Sequence, residues 1–406
     1  MNKNSVFASL LLAVLAVMTG CRPRVQVLWQ QQFSSGLDDA AVSVAVDSND
    51  IIIGAQCRDT AAGPRSTAWE LLRYDPNGKL IWRQSYRRSK CDSLAAIAVA
   101  PDRDIIVVGW TVGGLAPDSV RLLLGRFTSL GVPRWQKEYA LGFLTRGAAL
   151  SIDDSGRVTV CGSVTRREPS RNSDILIARF DAEGSLLKHD ALDFGANEYG
   201  QDLTRFKGRF NTLVLAAGTR VPLPGQTDSL ADRDVVIFGL GPDGNEQWRE
   251  YYLSGGKEAL VRLAGLSAAV SSSAGIHVLS FGSYWRYMEV LQDTRYTGDS
   301  DATCLGLTAD RGGHILGVGS AGPNRRRYFL GWRCFRGKFF NFLPWHGYTT
   351  GEDDRAFDVA LDASGNAIVV GASDSGPQSS ILALKVALPK YKPLPELYLG
   401  HGSTAR

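Results

Sequence analysis

Short runs of apolar residues recur along the chain, and most of them end in a glycine. The runs are rich in β-branched residues and are separated by polar, glycine-containing segments, which is the pattern of short strands and turns. Glycine closes such a run at Gly54, Gly109, Gly162, Gly218, Gly282, Gly319 and Gly371. The successive spacings are 55, 53, 56, 64, 37 and 52 residues. A repeat of roughly 50 residues is typical of propellers and solenoids.

Each period predicts four short strands. The second repeat shows them as Leu94–Ala100, Ile105–Trp110, Val120–Phe127 and Arg134–Tyr139. Tryptophan marks the fourth strand at intervals of 53 residues, at Trp29, Trp82 and Trp135. Outside the first twenty residues we find no sustained helical periodicity. Four-stranded antiparallel units at this period predict an all-β fold, a β-propeller of seven four-stranded blades over residues 25–390.

The strand order predicts how the propeller closes. The segment Val25–Phe33 precedes the first complete set of strands, and the last third strand, Ile381–Leu388, lacks a fourth strand after it. We therefore expect the N-terminal strand to complete the last blade, which leaves no open edge. The fifth repeat is irregular: a second strand at Ile276–Phe281 leaves few residues before the sixth repeat. Six or eight blades therefore stay open as alternatives, and residues 391–406 are expected to form a tail.

The first twenty residues have the pattern of a secretory signal. A polar start containing Lys3 precedes the apolar run Val6–Met18, which is shorter than the roughly 20 residues of a membrane span. Thr19–Gly20–Cys21 resembles the lipobox of bacterial lipoproteins. That resemblance implies cleavage before Cys21, acylation of Cys21 with lipid such as palmitate, and residues 21–24 as an anchored linker. The alternative is an ordinary signal followed by a chance cysteine.

Localisation follows from the same resemblance. A lipidated Cys21 attaches the protein to a membrane of the cell envelope. Arg22 follows the cysteine, and a residue other than aspartate at this place implies the outer membrane if the host is Gram-negative.

The repeats also resemble a known group. In these repeats a tryptophan is followed by an Asp- or Ala-rich beginning of the first strand, such as Asp38–Ala41. The segment Val44–Asp47 or Val359–Asp362 comes next, and then a second strand that ends in glycine. This order resembles the SBBP-type repeats of bacterial seven-bladed β-propeller proteins, over about residues 25–390. It differs from the WD and kelch repeats. The resemblance implies an exported or surface-attached scaffold and does not imply one particular chemistry.

Composition and motifs narrow the function classes. There are 45 basic and 41 acidic side chains, a net charge of +4, which argues against a nucleic-acid binder with a strong basic stripe. We find no metalloprotease, phosphate-binding or nucleophile-elbow motif, and no tryptophan-docking pattern of the quinoprotein kind. We therefore predict no catalytic residues, no metal site and no cofactor. His277 and His314 hold equivalent places in adjacent repeats, so we expect them to be neighbours on one face.

Acidic residues at the starts of the innermost strands are the candidate binding site. These residues are Asp38, Asp39, Asp92, Asp301, Asp353 and Asp354. In a propeller they would surround one mouth of the central channel, and the neighbouring first and seventh blades would bring Asp38 and Asp39 towards Asp353 and Asp354. Such a ring could bind a cation or a basic ligand. The alternative is that each carboxylate caps backbone N–H groups.

The cysteines permit one disulfide. Cys57 and Cys91 both lie at the predicted loop end of the blades, and an exported protein meets oxidising conditions. Cys161, Cys304 and Cys334 are expected to be buried thiols.

These observations predict a non-catalytic scaffold, anchored in the membrane by an N-terminal lipid. We expect a monomeric propeller that binds an unidentified protein or glycan partner. The alternative function is a propeller enzyme, either quinoprotein-like or lyase-like.

Overall fold

The described part of the computed structural model is built from strands and turns. It comprises residues 26–59, 66–89, 91–112, 119–165, 172–194, 197–207, 212–221, 235–241, 244–252, 260–272, 275–284, 287–296, 302–310, 314–321, 328–334, 343–344, 353–374 and 378–388. These residues contain no helix, so the predicted all-β class is confirmed. Among them there is accordingly no helical segment of the length and hydrophobicity needed to cross a bilayer.

The strands follow one another in groups of four, which we call units and number in chain order. Unit 1 consists of β2 (Asp38–Asp47), β3 (Asp50–Arg58), β4 (Thr67–Tyr74) and β5 (Leu80–Tyr86). Unit 2 consists of β6 (Cys91–Val99), β7 (Ile105–Val112), β8 (Val120–Phe127) and β9 (Pro133–Tyr139). Unit 3 consists of β10 (Leu144–Ile152), β11 (Val158–Thr165), β12 (Ser173–Phe180) and β13 (Leu186–Leu192).

The later units have the same order. Unit 4 consists of β14 (Asn197–Lys207), β15 (Thr212–Val221), β16 (Val235–Leu240) and β17 (Glu246–Tyr252). Unit 5 consists of β18 (Leu260–Ala264), β19 (Ser267–Ser272), β20 (Gly275–Tyr284) and β21 (Tyr287–Tyr296). Unit 6 consists of β22 (Thr303–Ala309), β23 (Ile315–Ala321), β24 (Tyr328–Cys334) and β25 (Leu343–Pro344). Unit 7 consists of β26 (Asp354–Leu361), β27 (Ala367–Ser373), β28 (Ser380–Ala387) and β1 (Gln26–Phe33).

Within each unit the strands pair antiparallel with their neighbours. Units 4 to 7 are separate four-stranded sheets, while single parallel bridges, Thr67 to Cys91 and Val120 to Leu144, join units 1 to 3 into one sheet. In unit 7, β1 pairs with β28 from Gln26 opposite Ala387 to Phe33 opposite Ile381. The chain therefore brings its described N-terminal strand onto its last strand.

Hydrophobic layers lie between consecutive units. The first strand of each unit contacts the first strand of the next, and β26 contacts β2. Between units 7 and 1, Ile51, Ile53 and Leu72 form one buried cluster with Ile368 and Ile381. The short β-branched runs of the second and third strands therefore supply the apolar surface that holds each unit to the next.

A bulge in the first strand explains the recurring glycine. In β6 the register shifts between Leu94 and Ala96, and the Ser93 carbonyl oxygen lies 1.9 Å from the place where a Cβ of Gly109 would be. Glycine avoids this collision because it has no Cβ. Unit 1 has Ala55 at the equivalent position, opposite Ala41. The sequence repeat drawn through Gly54 is therefore one residue out of register.

Unit 5 differs from the sequence prediction. Its second strand is β19, a run of serine, alanine and valine, and β20 is its third strand. The expected second strand at Ile276–Phe281 is therefore wrong, because the hydrophobic run there belongs to the third position. This shift of one strand accounts for the irregular spacings around Gly282.

Tryptophans of the fourth strands dock on the next unit. The indole N–H of Trp29 donates to the Pro76 carbonyl at 3.1 Å, and that of Trp82 donates to the Ser129 carbonyl at 3.2 Å. Both acceptors lie in the turn between the third and fourth strands of the following unit. These inter-unit contacts were not recognised from the sequence. The spacing of 53 residues marks an inter-unit contact.

The units have two distinct ends. Neighbouring strands of a unit run in opposite directions. The first strand therefore begins at the end of the unit where the loop between the second and third strands lies. We call this end the loop face. The hairpins between first and second strands and the turns between third and fourth strands lie at the other end, the turn face. Gln26, the first residue of β1, lies at the turn face beside Ala387.

Candidate functional site

The predicted acidic residues lie at the loop face, as equivalent members of successive units. In the first strands of units 1, 2, 3, 4, 6 and 7 the bulge aligns one position, which lies two residues before the bulge begins. This position is occupied by Asp39, Asp92, Thr145, Glu198, Ala302 and Asp354. All six side chains are buried. Asp38 and Asp353 lie one position earlier and are half-buried, whereas Asp301 lies outside the described residues.

Asp92 shows what the buried position does. Its carboxylate accepts hydrogen bonds from the Ser89 N–H at 2.9 Å, from the Ser89 hydroxyl at 2.6 Å and from the Thr111 hydroxyl at 2.6 Å. Burial would raise the pKa of Asp92, but these hydrogen bonds and one from the Arg88 N–H lower it below its usual value. Asp92 therefore fastens its preceding loop.

Asp39 does the same in unit 1. It accepts a hydrogen bond from the Ser35 N–H at 2.5 Å and one from the Ser35 hydroxyl at 2.7 Å. For Asp39 and Asp92 the geometry therefore matches the alternative in which the carboxylate caps backbone N–H groups.

The half-buried carboxylates of units 7 and 1 meet in one place. Asp374, which follows β27, is surrounded by the carboxylates of Asp353, Asp38 and Asp354. Burial raises the pKa of Asp374, those three negative charges raise it further, and the nearby Arg355 opposes the rise. We call Asp38, Asp353, Asp354 and Asp374, with Arg355, the acidic cluster.

Backbone contacts fix the acidic cluster at the boundary between units 7 and 1. The Asp39 N–H donates to the Ser379 carbonyl at 3.1 Å, and the Asp374 N–H donates to the Asp353 carbonyl at 3.1 Å. The Arg355 guanidinium lies 3.3 Å from the Asp353 carboxylate and 3.9 Å from that of Asp374. Carboxylates of two units therefore meet here beside one described guanidinium, and such a group of negative charges attracts a cationic ligand. Sequence reasoning missed Asp374 because it considered only the starts of first strands.

A second group of carboxylates lies at the loop face between units 3 and 4. Oxygens of Asp174, Asp193 and Glu198 lie within 4.8 Å of one another, and Asp174 and Glu198 are fully buried. Three carboxylates form a hard oxygen set of the kind that suits a divalent cation or a basic side chain. Glu198 is the unit 4 member of the aligned buried position.

Two further carboxylates lie deeper, on the innermost strands. Asp358 of β26 accepts hydrogen bonds from the Val44 N–H at 2.9 Å and from the Ser43 hydroxyl at 3.0 Å, both on β2. Asp202 of β14 accepts one from the Leu263 N–H of β18 at 2.7 Å. Both carboxylates therefore join one unit to the next.

The interior shifts the titration of these groups. Burial raises the pKa of Asp358 to about 6, and the negative charge of Asp202 adds to the rise. Burial also raises the pKa of Asp202, which the positive charge of Arg262 opposes. Arg262 itself donates from Nε to the Leu305 carbonyl at 2.7 Å. Sequence reasoning missed these residues because they follow the bulges, which are not visible in the sequence.

The predicted disulfide is not formed. Cys57 and Cys91 are both free and buried. Strand β4 lies between them, because Cys57 is opposite Ala68 and Cys91 is opposite Thr67. Two strand spacings amount to about 10 Å, which exceeds the Cα separation of about 7 Å that a disulfide allows. Cys161 and Cys304 are buried free thiols, as expected, and the side chain of Cys334 lies outside the description.

The two histidines are not neighbours. His277 lies near the start of β20 and shares a hydrogen bond of 2.7 Å with the Tyr252 hydroxyl. His314 precedes β23 and lies 2.7 Å from the Asp310 carboxylate. Because β20 is a third strand and β23 a second strand, the two side chains belong to opposite faces. The prediction that they share a face was wrong.

The turn face carries a pocket of about 630 Å³ between units 2 and 3. Its charged lining is tied into ion pairs: Arg126 with Asp102 and Asp104, and Arg134 with Asp104. Unit 1 repeats this arrangement with Arg73 between Asp47 and Asp50. The repetition indicates that the ion pairs stabilise the turn face.

Comparison with known proteins identifies the fold but no family. No family model matches the sequence, and no curated protein matches it. The structure is similar to that of a protein of unknown function from Dyadobacter fermentans, with a TM-score of 0.53, 10% identity, and coverage of 91% of this chain and 100% of that one. It is also similar to the β-propeller domain of the Trilobed protease from Pyrococcus furiosus, with a TM-score of 0.47, 9% identity, and coverage of 86% and 94%.

An acylaminoacyl peptidase from Pyrococcus horikoshii is a third similar structure. Its TM-score is 0.49 at 10% identity, with coverage of 85% of this chain and 51% of that one. At these identities the likeness concerns the fold alone.

Proposed function

We propose that this protein is a non-catalytic, lipid-anchored β-propeller that binds a protein or glycan partner through its loop face at the cell envelope. The propeller would have seven four-stranded blades, with β1 as the outer strand of the last blade. The contacts of each innermost strand with the next, and of β26 with β2, support this arrangement. The order of Trp29, the acidic start at Asp38 and the following apolar strands supports an SBBP-type repeat.

The acidic cluster is the observation that carries the partner-binding proposal. It is held by backbone contacts, it is partly accessible, and it gathers carboxylates of units 7 and 1 beside the Arg355 guanidinium. A surface of this kind favours a partner that presents basic groups: a protein with lysine or arginine side chains or a glycan with amino groups. Arg58 is exposed at the same face, so a glycan or protein with additional acidic groups would also find a counter-charge there.

The membrane-anchoring part rests on Cys21 and the apolar run before it. We expect a labelled fatty acid to be incorporated into the full-length protein and the Cys21→Ser variant to lose both the label and the membrane fraction. Label retained on the Cys21→Ser variant would show that the lipobox assignment is wrong.

The binding proposal is tested by cross-linked capture from intact membranes. The variant carries Asp38→Asn, Asp353→Asn and Asp374→Asn together. A charge-matched control carries Asp75→Asn, Asp181→Asn and Glu183→Gln at turns of the opposite face. A partner captured by the wild type and the control, with an affinity about tenfold weaker for the cluster variant, is the expected result. Equal capture by all three proteins would contradict a role for the acidic cluster.

A propeller enzyme of the quinoprotein or lyase kind is the alternative function. The docking of Trp29 and Trp82 is the observation that favours it, since we associate such docking with quinoproteins. However, both indoles bind turns of neighbouring units, which is a structural role. Cofactor absorbance in the purified protein, lost on denaturation, would support the enzyme alternative.

A further inference from the structure

Most of the large hydrophobic side chains that are exposed in the described part of the chain lie at the turn face. Eight of the ten large hydrophobic residues exposed in the described part of the chain form four pairs, one in each of units 7, 1, 2 and 3. The pairs are Val27 with Leu28, Leu80 with Ile81, Leu130 with Val132, and Leu186 with Leu187. We call these eight residues the apolar rim. Each pair lies at the turn face, at the start of a fourth strand or in the turn before it.

The docked tryptophans connect the successive pairs of the apolar rim. Trp29 follows Leu28 and lies on the turn at Gly78, two residues before Leu80. Trp82 follows Ile81 and lies on the turn at Gly131, between Leu130 and Val132. Trp135 lies on the turn at Gly184 in the same way, two residues before Leu186. Each pair is therefore joined to the next through an indole ring and a turn.

The fold does not require these side chains to be apolar. Unit 4 keeps its tryptophan, Trp248, and has Glu246 and Gln247 at the two positions before it. The same outer strand therefore forms with a polar pair. The exposed fractions reach 67% for Leu130 and 56% for Val132, which is unfavourable in water. A recurring group of exposed apolar side chains of this kind is typical of an interaction site.

The position of the chain's N-terminal segment indicates what covers the rim. β1 begins at Gln26 on the turn face and carries Val27 and Leu28 of the rim itself. Cys21 lies five residues before Gln26, and five extended residues reach at most about 18 Å. A lipid on Cys21 therefore holds the bilayer within that distance of Gln26, next to the rim residues Val27 and Leu28. This step rests on the proposed lipid anchor.

We propose that the apolar rim of units 7, 1, 2 and 3 inserts into the interfacial region of the bilayer to which Cys21 is attached. The inserted side chains remove apolar surface from water, and the anchor supplies the high local concentration that single residues lack. Because unit 4 has the polar pair Glu246 and Gln247 in place of an apolar one, the propeller is tilted with unit 4 away from the lipid. The loop face, with the acidic cluster, then points away from the membrane surface.

The first experiment measures how deeply the rim residues lie in the bilayer, with the mature protein lipidated at Cys21. This protein is reconstituted into vesicles of phosphatidylethanolamine and phosphatidylglycerol, with a nitroxide label on Ile81→Cys or Leu187→Cys. Labels on Phe143→Cys and Tyr199→Cys are the matched controls, because these two exposed hydrophobic residues lie outside the rim. We expect the ratio of oxygen to water-soluble nickel collisions to be several-fold higher for the rim labels. Equal ratios at all four positions overturn the proposal.

The second experiment copies the polar pair of unit 4 into the rim. The variant carries Leu80→Glu, Ile81→Gln, Leu186→Glu and Leu187→Gln, and the label is placed on Leu130→Cys. The ratio of oxygen to nickel collisions at this label should fall to that of a site in water. The thermal midpoint should stay within a few degrees of that of the protein without the four polar substitutions. A lipid-like ratio in this correctly folded variant contradicts insertion of the rim.

The two proposals fail in different ways. Incorporation of labelled fatty acid at Cys21 with aqueous rim labels would leave the anchor intact and reject the rim. Lipid-like rim labels on a protein without fatty acid would reject the anchor and show that the rim binds lipid unaided. A rim shielded from both collision reagents, in a dimer that the four polar substitutions convert to a monomer, would assign the surface to a second copy of the chain and reject the bilayer.

Discussion

At the scale of single residues, the loop face is organised by buried carboxylates. Asp39 and Asp92 hold equivalent places in consecutive units, and both accept hydrogen bonds from the loop that precedes their strand. A fully buried charge is tolerated there because hydrogen-bond donors surround it. The repeated aspartate is therefore explained by loop attachment, before any ligand is considered.

Replacing Asp92 tests this explanation. At pH 7 we expect Asp92→Asn to lower the free energy of unfolding by about 1–3 kcal/mol, because one acceptor of a buried charge network is lost. The folded-state pKa of Asp92 is lowered, so its contribution is complete above the unfolded-state pKa of about 4 and is lost as the pH falls from there through the lower folded-state pKa. Denaturant unfolding at pH 7 and pH 3 measures both effects.

The control for Asp92 is Asp190→Asn. Asp190 makes an accessible ion pair with Lys188 at 2.9 Å, and such surface pairs contribute about 0–1 kcal/mol. Equal losses of stability for the two variants would contradict the buried capping role.

The contribution of Asp358 to the free energy of unfolding should change with pH in the direction opposite to that of Asp92. Its pKa in the folded chain is about 6, above the value of about 3.9 expected in the unfolded chain. As the pH rises from 4 to 6 the unfolded chain loses this proton first, so Asp358 increasingly disfavours folding and the effect is complete above pH 6. Relative to Asp358→Asn, the wild type should lose about 2 kcal/mol of unfolding free energy between pH 4 and pH 7.

The measurement for Asp358 is the difference between wild type and variant at each pH. This difference cancels the hydrogen bond that asparagine loses at every pH. Parallel stability curves for the two proteins would show that the carboxyl group titrates normally.

The sequence located only some of these residues. It placed Asp39 and Asp92 at the starts of inner strands because strand patterning is visible in hydrophobicity. It did not find Asp202, Asp358 or Asp374, since their positions depend on bulge register and on which units meet in space. Neither property leaves a local pattern in the chain.

At the scale of strands and turns, backbone approach explains the glycine repeat. The Ser93 carbonyl reaches the space beside Gly109, and in unit 3 the Arg146 carbonyl does the same at Gly162. The sequence period was therefore recognisable, although its cause was not. In unit 5 the same reasoning failed, because the hydrophobic run of β20 is stronger than that of β19 and was assigned to the wrong strand.

Gly109→Ala should be destabilising for this reason. The new Cβ would lie 1.9 Å from the Ser93 carbonyl oxygen, so the bulge of β6 must move. Because Ala55 is accommodated at the equivalent place in unit 1, we expect adjustment at a cost of about 1–3 kcal/mol. Thermal unfolding with a matched denaturant series measures this loss.

Gly54→Ala is the comparison for Gly109→Ala. Its Cβ would meet side-chain atoms of Leu94 and Ile97, the nearer at 2.5 Å, and side chains move more easily than a backbone carbonyl. The loss should be smaller than for Gly109→Ala. A larger loss at Gly54 would refute the backbone explanation of the repeat.

At the scale of the whole molecule, the first and last strands belong to one unit although about 350 residues separate them in the sequence. β1 supplies the outer edge of unit 7, and Trp29 then docks on unit 1. Lys385 of β28 likewise donates to the Pro76 carbonyl of unit 1 at 3.0 Å. The boundary between units 7 and 1 therefore contains the same contacts as the boundaries between units that follow each other in the chain, which is what the proposed closed ring requires.

A disulfide across β1 and β28 tests this closure. Gln31 lies opposite Ala383 in the pairing register, so Gln31→Cys with Ala383→Cys should form a bond within one chain. The described native cysteines are buried and compete little for oxidation. The cross-link closes a very long loop and should raise stability by about 2–4 kcal/mol. Non-reducing electrophoresis should show a monomer of altered mobility, and reduction should lower the thermal midpoint to that of the wild type.

Covalent dimers would instead mean that β1 completes unit 7 of another molecule, and an unreactive pair would mean that β1 does not occupy this edge in solution. The control combines Gln31→Cys with Ile381→Cys. These two residues are two positions out of register, so this pair should cross-link poorly.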